Sequence, residues 1–201
     1  MPVVSPQGKR DLRHAARARR RELVEAMDGN AAAAAIAEAV LRFVPDPSRV
    51  AVYESLPDEP PTGRLVEALL AAGHEVIVPV LLADWSLEWR YAVPGASGDR
   101  GTVTRPTGSP DTDAGADWLG TDALATCDLV VTPGLSVDPH GIRLGQGGGC
   151  YDRALVHRDP AAPVVTLLHE GEQSETDLPA DEHDLPVDGY VTTSGRVVRL
   201  R

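Results

Sequence analysis

The chain has 201 residues, of which 42% are hydrophobic and 24% charged, and its formal net charge is −11. This size and composition are typical of one globular domain with a buried core, and the acidic balance argues against a nucleic-acid binder, which needs a basic surface. No apolar run approaches the roughly 20 residues that span a bilayer, and the first residues lack the pattern of a secretory signal, so we expect a cytoplasmic protein without membrane contact.

The first half of the chain predicts helices alternating with strands. Apolar residues at helical spacing predict three helices, at residues 9–27, 31–43 and 65–72. Short apolar runs and period-two alternation predict three strands, at residues 50–53, 75–80 and 87–93. Asn30 is the expected N-cap of the second helix, and Gly73 is the expected residue just after the third.

The second half predicts one long loop and three buried strands. Residues 94–117 consist mostly of Gly, Pro, Ser, Thr and Asp, which predicts a long, exposed, mobile loop. Continuous apolar runs predict strands at residues 128–134, 164–168 and 187–192, the last of the chain. Alternating strands and helices favour a single Rossmann-like α/β domain of three layers, with a mostly parallel central sheet covered on both faces.

The densest run of glycines lies at residues 141–153, with the sequence GIRLGQGGGCYDR. Glycines have no Cβ, so backbone N–H groups can converge there on an anion. A helix over 150–157 would add the favourable dipole of its N-terminus. Arg143 and Arg153 could neutralise phosphate oxygens, and Asp152 could hold Mg²⁺. The alternative is a plain surface turn, because the segment matches neither a Walker A loop nor a Rossmann GxGxxG motif.

Residues 133–138 and 141–153 together resemble the signature of the 5-formyltetrahydrofolate cyclo-ligase family. That signature is a Pro-Gly turn, a short gap to an acidic residue and a glycine, then Arg-Leu-Gly-x-Gly-x-Gly-Tyr-Tyr-Asp-Arg. The resemblance extends from Lys9 to about Thr193. It implies a NagB/RpiA/CoA-transferase-like fold, a small-molecule folate substrate, ATP as co-substrate and Mg²⁺. We expect a monomer without a nucleic-acid partner.

Two basic residues near the start match the family's Lys-x-x-Leu-Arg motif. The segment Lys-Arg-Asp-Leu-Arg begins at Lys9 and ends at Arg13, and the resemblance implies that both end residues reach the ATP phosphates. The alternative is a solvated basic helix face. Arg17 lies on the same face, because it is four residues further along, but the family motif does not include it.

An acidic motif of the family is matched after the first strand. Residues 57–62, Pro-Asp-Glu-Pro-Pro-Thr, resemble the family's Pro-x-Glu-x-x-Thr, which implies that Glu59 contacts the pterin ring. A carboxylate suits that task because it accepts paired hydrogen bonds. The alternative is that Asp58, Glu59 and Thr62 only cap the next helix, and for Thr62 the cap is favoured.

Residues 178–188 resemble the family's C-terminal Pro-x-x-x-His-Asp segment, which implies that Asp184 is a second carboxylate near Mg²⁺ and that His183 is structural.

Cys150 stands where the family usually has an aromatic residue. Because no histidine is near it in the sequence, we do not expect a nucleophile. Gln173 falls where the family has a glutamine and receives no role.

The expected site residues fall into four sets. The catalytic set is Arg143 and Asp152, and the metal set is Asp152 and Asp184. The ATP set is Lys9, Arg13, Arg143, Leu144, Gly145, Gln146, Gly147, Gly148, Gly149, Cys150 and Tyr151. The substrate set is Glu54, Glu59, Gln146, Gly147, Gly148, Gly149 and Cys150, although at the position of Glu54 the family more often has an apolar or small residue.

The implied reaction is conversion of 5-formyltetrahydrofolate to 5,10-methenyltetrahydrofolate with release of ADP and phosphate. Phosphorylation of the formyl oxygen would create a leaving group, and N10 would close the ring. Three alternatives stay open because the family's Gly-Ile-Pro-Glu-Pro segment is not matched at residues 102–117. They are an ATP-using enzyme for another amide or formamide, a non-catalytic nucleotide- or folate-binding paralogue, and a sugar-phosphate or acyl-CoA enzyme on a similar scaffold.

Overall fold

The computed structural model of the protein describes residues 6–93, 104–105, 118–181 and 183–201. These residues form four α-helices, namely α1 (Pro6–Glu25), α2 (Gly29–Leu41), α3 (Gly63–Ala71) and α4 (Cys150–Leu155), and one 3₁₀ turn, Ala123–Thr126. None of the described helices combines the length and apolar character that a bilayer span requires.

The described residues form ten strands, eight in one sheet and two in a separate hairpin. Their bounds are β1 Arg49–Val52, β2 Glu75–Leu82, β3 Leu87–Tyr91, β4 Thr104–Arg105, β5 Leu129–Pro133, β6 Ser136–Val137, β7 Arg143–Leu144, β8 Val164–Leu168, β9 Gly189–Thr192 and β10 Val197–Arg199. The main order is β10-β9-β8-β5-β1-β2-β3. The five inner strands are parallel, and β10 and β3 run antiparallel at the two edges. The predicted mostly parallel α/β sheet is therefore confirmed.

Both faces of the sheet are covered, which explains the continuous apolar runs of the inner strands. In β1, Val50 and Val52 point to the face where α2 and α3 supply residues such as Ile36 and Leu69. Ala51, between them, points to the opposite face, with Trp89 and Leu155 among its neighbours. The two sets of buried side chains make the predicted three layers.

The ends of α2 and α3 show how local sequence sets the helix boundaries. The predicted N-cap Asn30 is wrong: the cap is Asp28, whose carboxylate accepts hydrogen bonds from the amides of Asn30 and Ala31. A side chain caps amides two or three positions ahead of it, so the helix begins earlier than its apolar pattern. Gly73 follows α3 with φ +89°, as predicted, and the amide of His74 donates to the carbonyl of Leu69 at 3.1 Å, closing a Schellman turn.

The predicted layout of strands and loops requires correction at three points. The run at residues 187–192 is not the last strand, because β10 follows it and pairs with β9 at the edge of the sheet. The sequence did not predict β10 because this strand is short and mostly exposed. The β6–β7 hairpin was missed because its strands have only two residues each. Within the predicted loop at residues 94–117, the structure describes only β4, which pairs with β2 instead of forming loop; the other positions lie outside the described residues.

Candidate active site

A cleft of about 1200 Å³ opens beside the carboxyl ends of the parallel strands. Its walls come from α1, the segment after β1, the β2–β3 hairpin, the glycine segment and residues 178–185. Ligands of open α/β sheets bind at this edge because the connecting loops converge there. The cleft is somewhat larger than a usual ligand pocket of roughly 300–1,000 Å³.

Every residue in the four predicted site sets lines this cleft. The convergence spans nearly the whole chain, since Lys9 and Asp184, which are 175 positions apart, lie 2.6 Å from each other between Nζ and Oδ2. Placement in one cleft makes the sets a single candidate site, whereas the role of each residue stays a prediction.

The glycine segment is held in shape by the buried carboxylate of Asp138. One oxygen accepts the amides of His140 at 2.8 Å and Ile142 at 2.9 Å, and the other accepts the amide of Leu178 at 2.8 Å. Three amide donors satisfy a carboxylate that burial would otherwise make costly. Asp138 thereby ties the start of the glycine segment to the C-terminal wall of the cleft.

Gly141 and Gly149 are required at the two ends of the glycine segment. Gly141 has φ +84°, and a Cβ at this position would collide with the carbonyl oxygen of Val187. Gly149 has φ +66° and directly precedes α4. The predicted helix over 150–157 is shorter, ending at Leu155. Both glycines adopt left-handed backbone conformations that side chains disfavour, so the segment can turn sharply into α4.

The basic face of α1 lies along this segment. Arg13 Nε donates to the carbonyl of Gly145 at 3.0 Å. Arg17, which the family motif did not include, donates to the side chain of Gln146 at 2.9 Å and to its backbone carbonyl at 2.8 Å. The alternative of a merely solvated basic face is therefore wrong for these two residues. The i, i+4 spacing that places Arg13 and Arg17 on one side of the helix was the signal that could have identified Arg17.

Lys9 closes the other end of the cleft by pairing with two carboxylates. Its Nζ lies 2.7 Å from Asp181 Oδ2 and 2.6 Å from Asp184 Oδ2. Burial lowers the pKa of Lys9, but the hydrogen bonds to the two carboxylates outweigh that effect and leave the pKa above its usual value. The lysine is thus held as a cation at the wall of the cleft.

Arg143 and Asp152 form a second ion pair in the cleft. Nη2 of Arg143 lies 2.7 Å from Oδ1 of Asp152, and the Arg143 side chain is only 5% exposed. The guanidinium also lies 5.7 Å from the centre of the Tyr151 ring, a cation–π distance. These contacts fix the direction of the arginine before any ligand binds.

The sequence predicts two carboxylate ligands for Mg²⁺. Among the described residues, no group of three or more His, Cys, Asp or Glu side chains could hold a metal alone. Mg²⁺ needs only one or two carboxylates when waters and substrate phosphates complete its coordination. Asp152 and Asp184, the two carboxylates predicted for this task, both line the cleft, each with one oxygen paired to a cation.

Glu59 is a buried carboxylate in the segment after β1, with 7% exposure, and it lies close enough to Gln146 of the glycine segment for a side-chain hydrogen bond. Its Oε2 accepts the amide of Leu56 at 3.0 Å. Burial raises the pKa of Glu59 and outweighs the Leu56 amide, Arg20 and Gln146, which lower it. Helix capping does not explain this geometry, because Glu59 bonds back to Leu56. Thr62 is the N-cap residue of α3, as predicted, but its hydroxyl makes no capping hydrogen bond and instead accepts the amide of Ser55 at 3.1 Å.

Two cleft residues have environments that bear on chemistry. Glu54 forms a two-pronged pair with Nη2 of Arg90 at 3.1 and 3.0 Å, which the sequence did not predict. Burial raises the pKa of the Cys150 thiol. A raised pKa keeps the thiol protonated at neutral pH, which agrees with the expectation that it is not a nucleophile.

Trp85 is an exposed aromatic residue at the tip of the β2–β3 hairpin. It is 57% exposed, has φ +66°, and its carbonyl accepts Nη2 of Arg153 at 2.7 Å. The same nitrogen donates to the carbonyl of Gly148 at 2.8 Å. Arg153, expected to neutralise phosphate, thus also joins the hairpin to the glycine segment.

A model of the 5-formyltetrahydrofolate cyclo-ligase family matches residues 5–193 of the chain. A 5-formyltetrahydrofolate cyclo-ligase of Mycolicibacterium smegmatis is 30% identical over 204 residues, covering 98% of this chain and 100% of the relative. The 5-formyltetrahydrofolate cyclo-ligase of Escherichia coli K12 is 32% identical over 146 residues, covering 72% and 78%. In fold, the chain is similar to an Aquifex aeolicus 5,10-methenyltetrahydrofolate synthetase, with a TM-score of 0.66, 23% identity, and coverage of 96% and 93%.

Proposed function

The chain belongs to the 5-formyltetrahydrofolate cyclo-ligase family, and on that premise we propose that it converts 5-formyltetrahydrofolate to 5,10-methenyltetrahydrofolate with ATP and Mg²⁺. The observation that carries the proposal is the meeting of Lys9, Arg13, the glycine segment and Glu59 in one cleft. That arrangement provides cations and small residues for a triphosphate beside a buried carboxylate for a heterocycle.

The nucleotide side is the wall made by α1 and the glycine segment. Lys9, Arg13 and Arg143 carry the positive charge that phosphate oxygens need. Residues 145–149 include four glycines, so a phosphate can approach the backbone closely. Leu144, Gln146, Cys150 and Tyr151 complete the proposed ATP set around them.

Asp152 and Asp184 would hold Mg²⁺ between the protein and the phosphates. The ion would neutralise charge on the transferred phosphoryl group when bound. In the structure the two carboxylates pair with Arg143 and Lys9 instead. These pairs keep the four charged groups directed into the cleft and balance their charge, which lowers the cost of having them there.

The folate side is the wall that contains Glu59. An ionised carboxylate can accept two hydrogen bonds from adjacent N–H groups of a pterin. The apolar side chains of Leu81, Leu87 and Trp85 line the same cleft and could pack against the rings of a folate. Glu54 belongs to the proposed substrate set beside Glu59. Residues 146–149 and Cys150 belong to both proposed sets, so the glycine segment would contact the nucleotide and the folate.

The reaction needs positioning and charge neutralisation rather than an enzyme nucleophile. The formyl oxygen attacks the γ-phosphorus of ATP, and the bond to the bridging oxygen of ADP breaks. N10 then attacks the formyl carbon and loses its proton, and the carbon–oxygen bond breaks as phosphate leaves. Arg143 and Lys9 would stabilise charge on the transferred group, while Glu59 would hold the pterin so that N10 faces the formyl carbon.

The test is direct: the purified chain is mixed with Mg-ATP and 5-formyltetrahydrofolate, and the absorbance of the methenyl product is followed. We expect product formation that requires both ATP and Mg²⁺, with one ADP released per methenyl group. Binding of either ligand without turnover would refute the proposal in favour of a non-catalytic paralogue. Consumption of ATP only with a different formamide would refute the folate assignment alone.

A further inference from the structure

One arginine of α1 is buried, in contrast to the basic residues that face the cleft. Arg20 is 0% exposed, and its Nε and Nη2 lie 2.7 and 2.9 Å from the two carboxylate oxygens of Glu172. Its Nη2 also donates to the carbonyl of Gly134. Neither Arg20 nor Glu172 lines the cleft. The desolvation cost of a buried ion pair can exceed the attraction between its charges, so stabilisation alone is a weak explanation for this pair.

A continuous polar chain leads from this pair to Glu59. Oε2 of Glu172 accepts the amide of His169 at 2.8 Å. The ring Nε2 of His169 lies 3.0 Å from the carbonyl oxygen of Asp58, and it must carry the proton because a carbonyl only accepts. Asp58 immediately precedes Glu59, whose amide donates to the carbonyl of Leu56 at 2.9 Å. Helix α1 and the Glu59 turn are thereby joined through buried contacts.

The same pair also acts on Glu59 through its charge. The polar groups near Glu59 include Arg20 of α1, Tyr53 after β1, Asp58 in its own turn, Gln146 of the glycine segment and Tyr151 of α4. Arg20 is the cation among these groups, and Asp58 acts in the opposite direction. In a site screened from water, a nearby charge acts strongly on a carboxylate. The counter-charge of Glu172 partly cancels the field of Arg20.

We propose that Arg20 is a positioning residue for the folate side of the reaction: it holds the Glu59 turn through Glu172 and His169, and its own positive charge favours the ionised form of Glu59. The inference rests on the proposed function, because it takes Glu59 as the group that contacts the pterin. Arg20 would therefore affect use of the folate and leave use of ATP unchanged, although it belongs to the same helix as Lys9 and Arg13.

The test compares Arg20→Met and Glu172→Gln in the full chain, with the exposed neighbour Arg21→Met as the control. The pH dependence of kcat/KM for 5-formyltetrahydrofolate is measured for each, with the KM for Mg-ATP. Loss of Arg20 should move the acid limb to higher pH, because the positive charge of Arg20 lowers the pKa of the Glu59 carboxyl. Glu172→Gln should move the limb to lower pH, since the field of Arg20 is then less compensated.

Shifts of the acid limb in opposite directions in the two variants would separate a charge effect from a structural one. A purely structural role would lower kcat/KM in both variants without moving the limb. Glu172→Gln keeps the side-chain shape, so its shift tests the inference even if Arg20→Met does not fold. The inference is overturned if the acid limb does not move in either variant, or if it moves to higher pH in Glu172→Gln. It is also overturned if the KM for Mg-ATP rises as much as the KM for the folate. Glu59→Gln separates the two proposals: an unchanged folate KM in that variant would refute the role of Glu59 itself.

Discussion

Replacing Asp152 by asparagine would remove one charge from the cleft and keep its shape. Arg143 Nη2 lies 2.7 Å from Asp152 Oδ1, and the two side chains are only 5% and 29% exposed, so water screens the pair weakly. Losing an electrostatic contact in such a site costs about 2.7–4 kcal/mol in the transition state. Each ~1.36 kcal/mol is tenfold in rate, so we expect kcat to fall at least ~10²-fold.

The assay is the formation of the methenyl product at saturating Mg-ATP, with thermal unfolding to show that the variant is folded. Glu75→Gln is the matched control, because Glu75 also pairs with an arginine, Arg49, at 2.8 Å but does not line the cleft. We expect the control to keep the parent rate. Near-normal turnover of Asp152→Asn would remove Asp152 from the mechanism and with it the proposed metal set.

Three further predictions follow from the geometry. Gly141→Ala should lower the free energy of unfolding, measured in urea, by about 2–4 kcal/mol. The control is Gly73→Ala, where φ is similar but no atom lies near the added Cβ, and there the loss should be about 1 kcal/mol. Equal losses in the two variants would contradict the predicted collision. Burial raises the pKa of Glu59, so its ionised form destabilises the fold: Glu59→Gln should raise Tm at neutral pH, and this gain should fade as the pH falls through the raised pKa. Arg17→Met should raise the KM for ATP about fivefold, the equivalent of one lost hydrogen bond. The control is the exposed neighbour Arg21→Met. An equal KM in the two variants would show that Arg17 does not support the glycine segment.

The elements that were predicted well carry strong local signals. The apolar run at 164–168 corresponds to β8 residue for residue, because a strand buried on both faces must be apolar throughout. Gly73 was predicted as the end of α3 because few other residues adopt its φ without cost. In contrast, β10 has an exposed, partly charged sequence, and only its pairing with β9 makes it a strand.

The buried ion pair of Arg20 and Glu172 shows where sequence reasoning stops. Arg20 is one of several arginines in α1, and nothing in their order distinguishes the buried one from those that face solvent or the cleft. Its partner lies 152 positions away. Burial of a charge depends on which surface packs over it, and that surface comes from the far end of the chain.

From its sequence alone, this protein could be assigned an α/β architecture, and its glycine segment and a set of charged residues could be predicted to meet in one site. Those features depend on local spacing and on residue chemistry, which the linear order carries directly. Only the tertiary structure determined that Lys9 pairs with Asp181 and Asp184, that Arg143 pairs with Asp152, and that Glu59 is buried. Such pairings depend on distances between segments remote in sequence, and the packing of helices on the parallel sheet determines those distances.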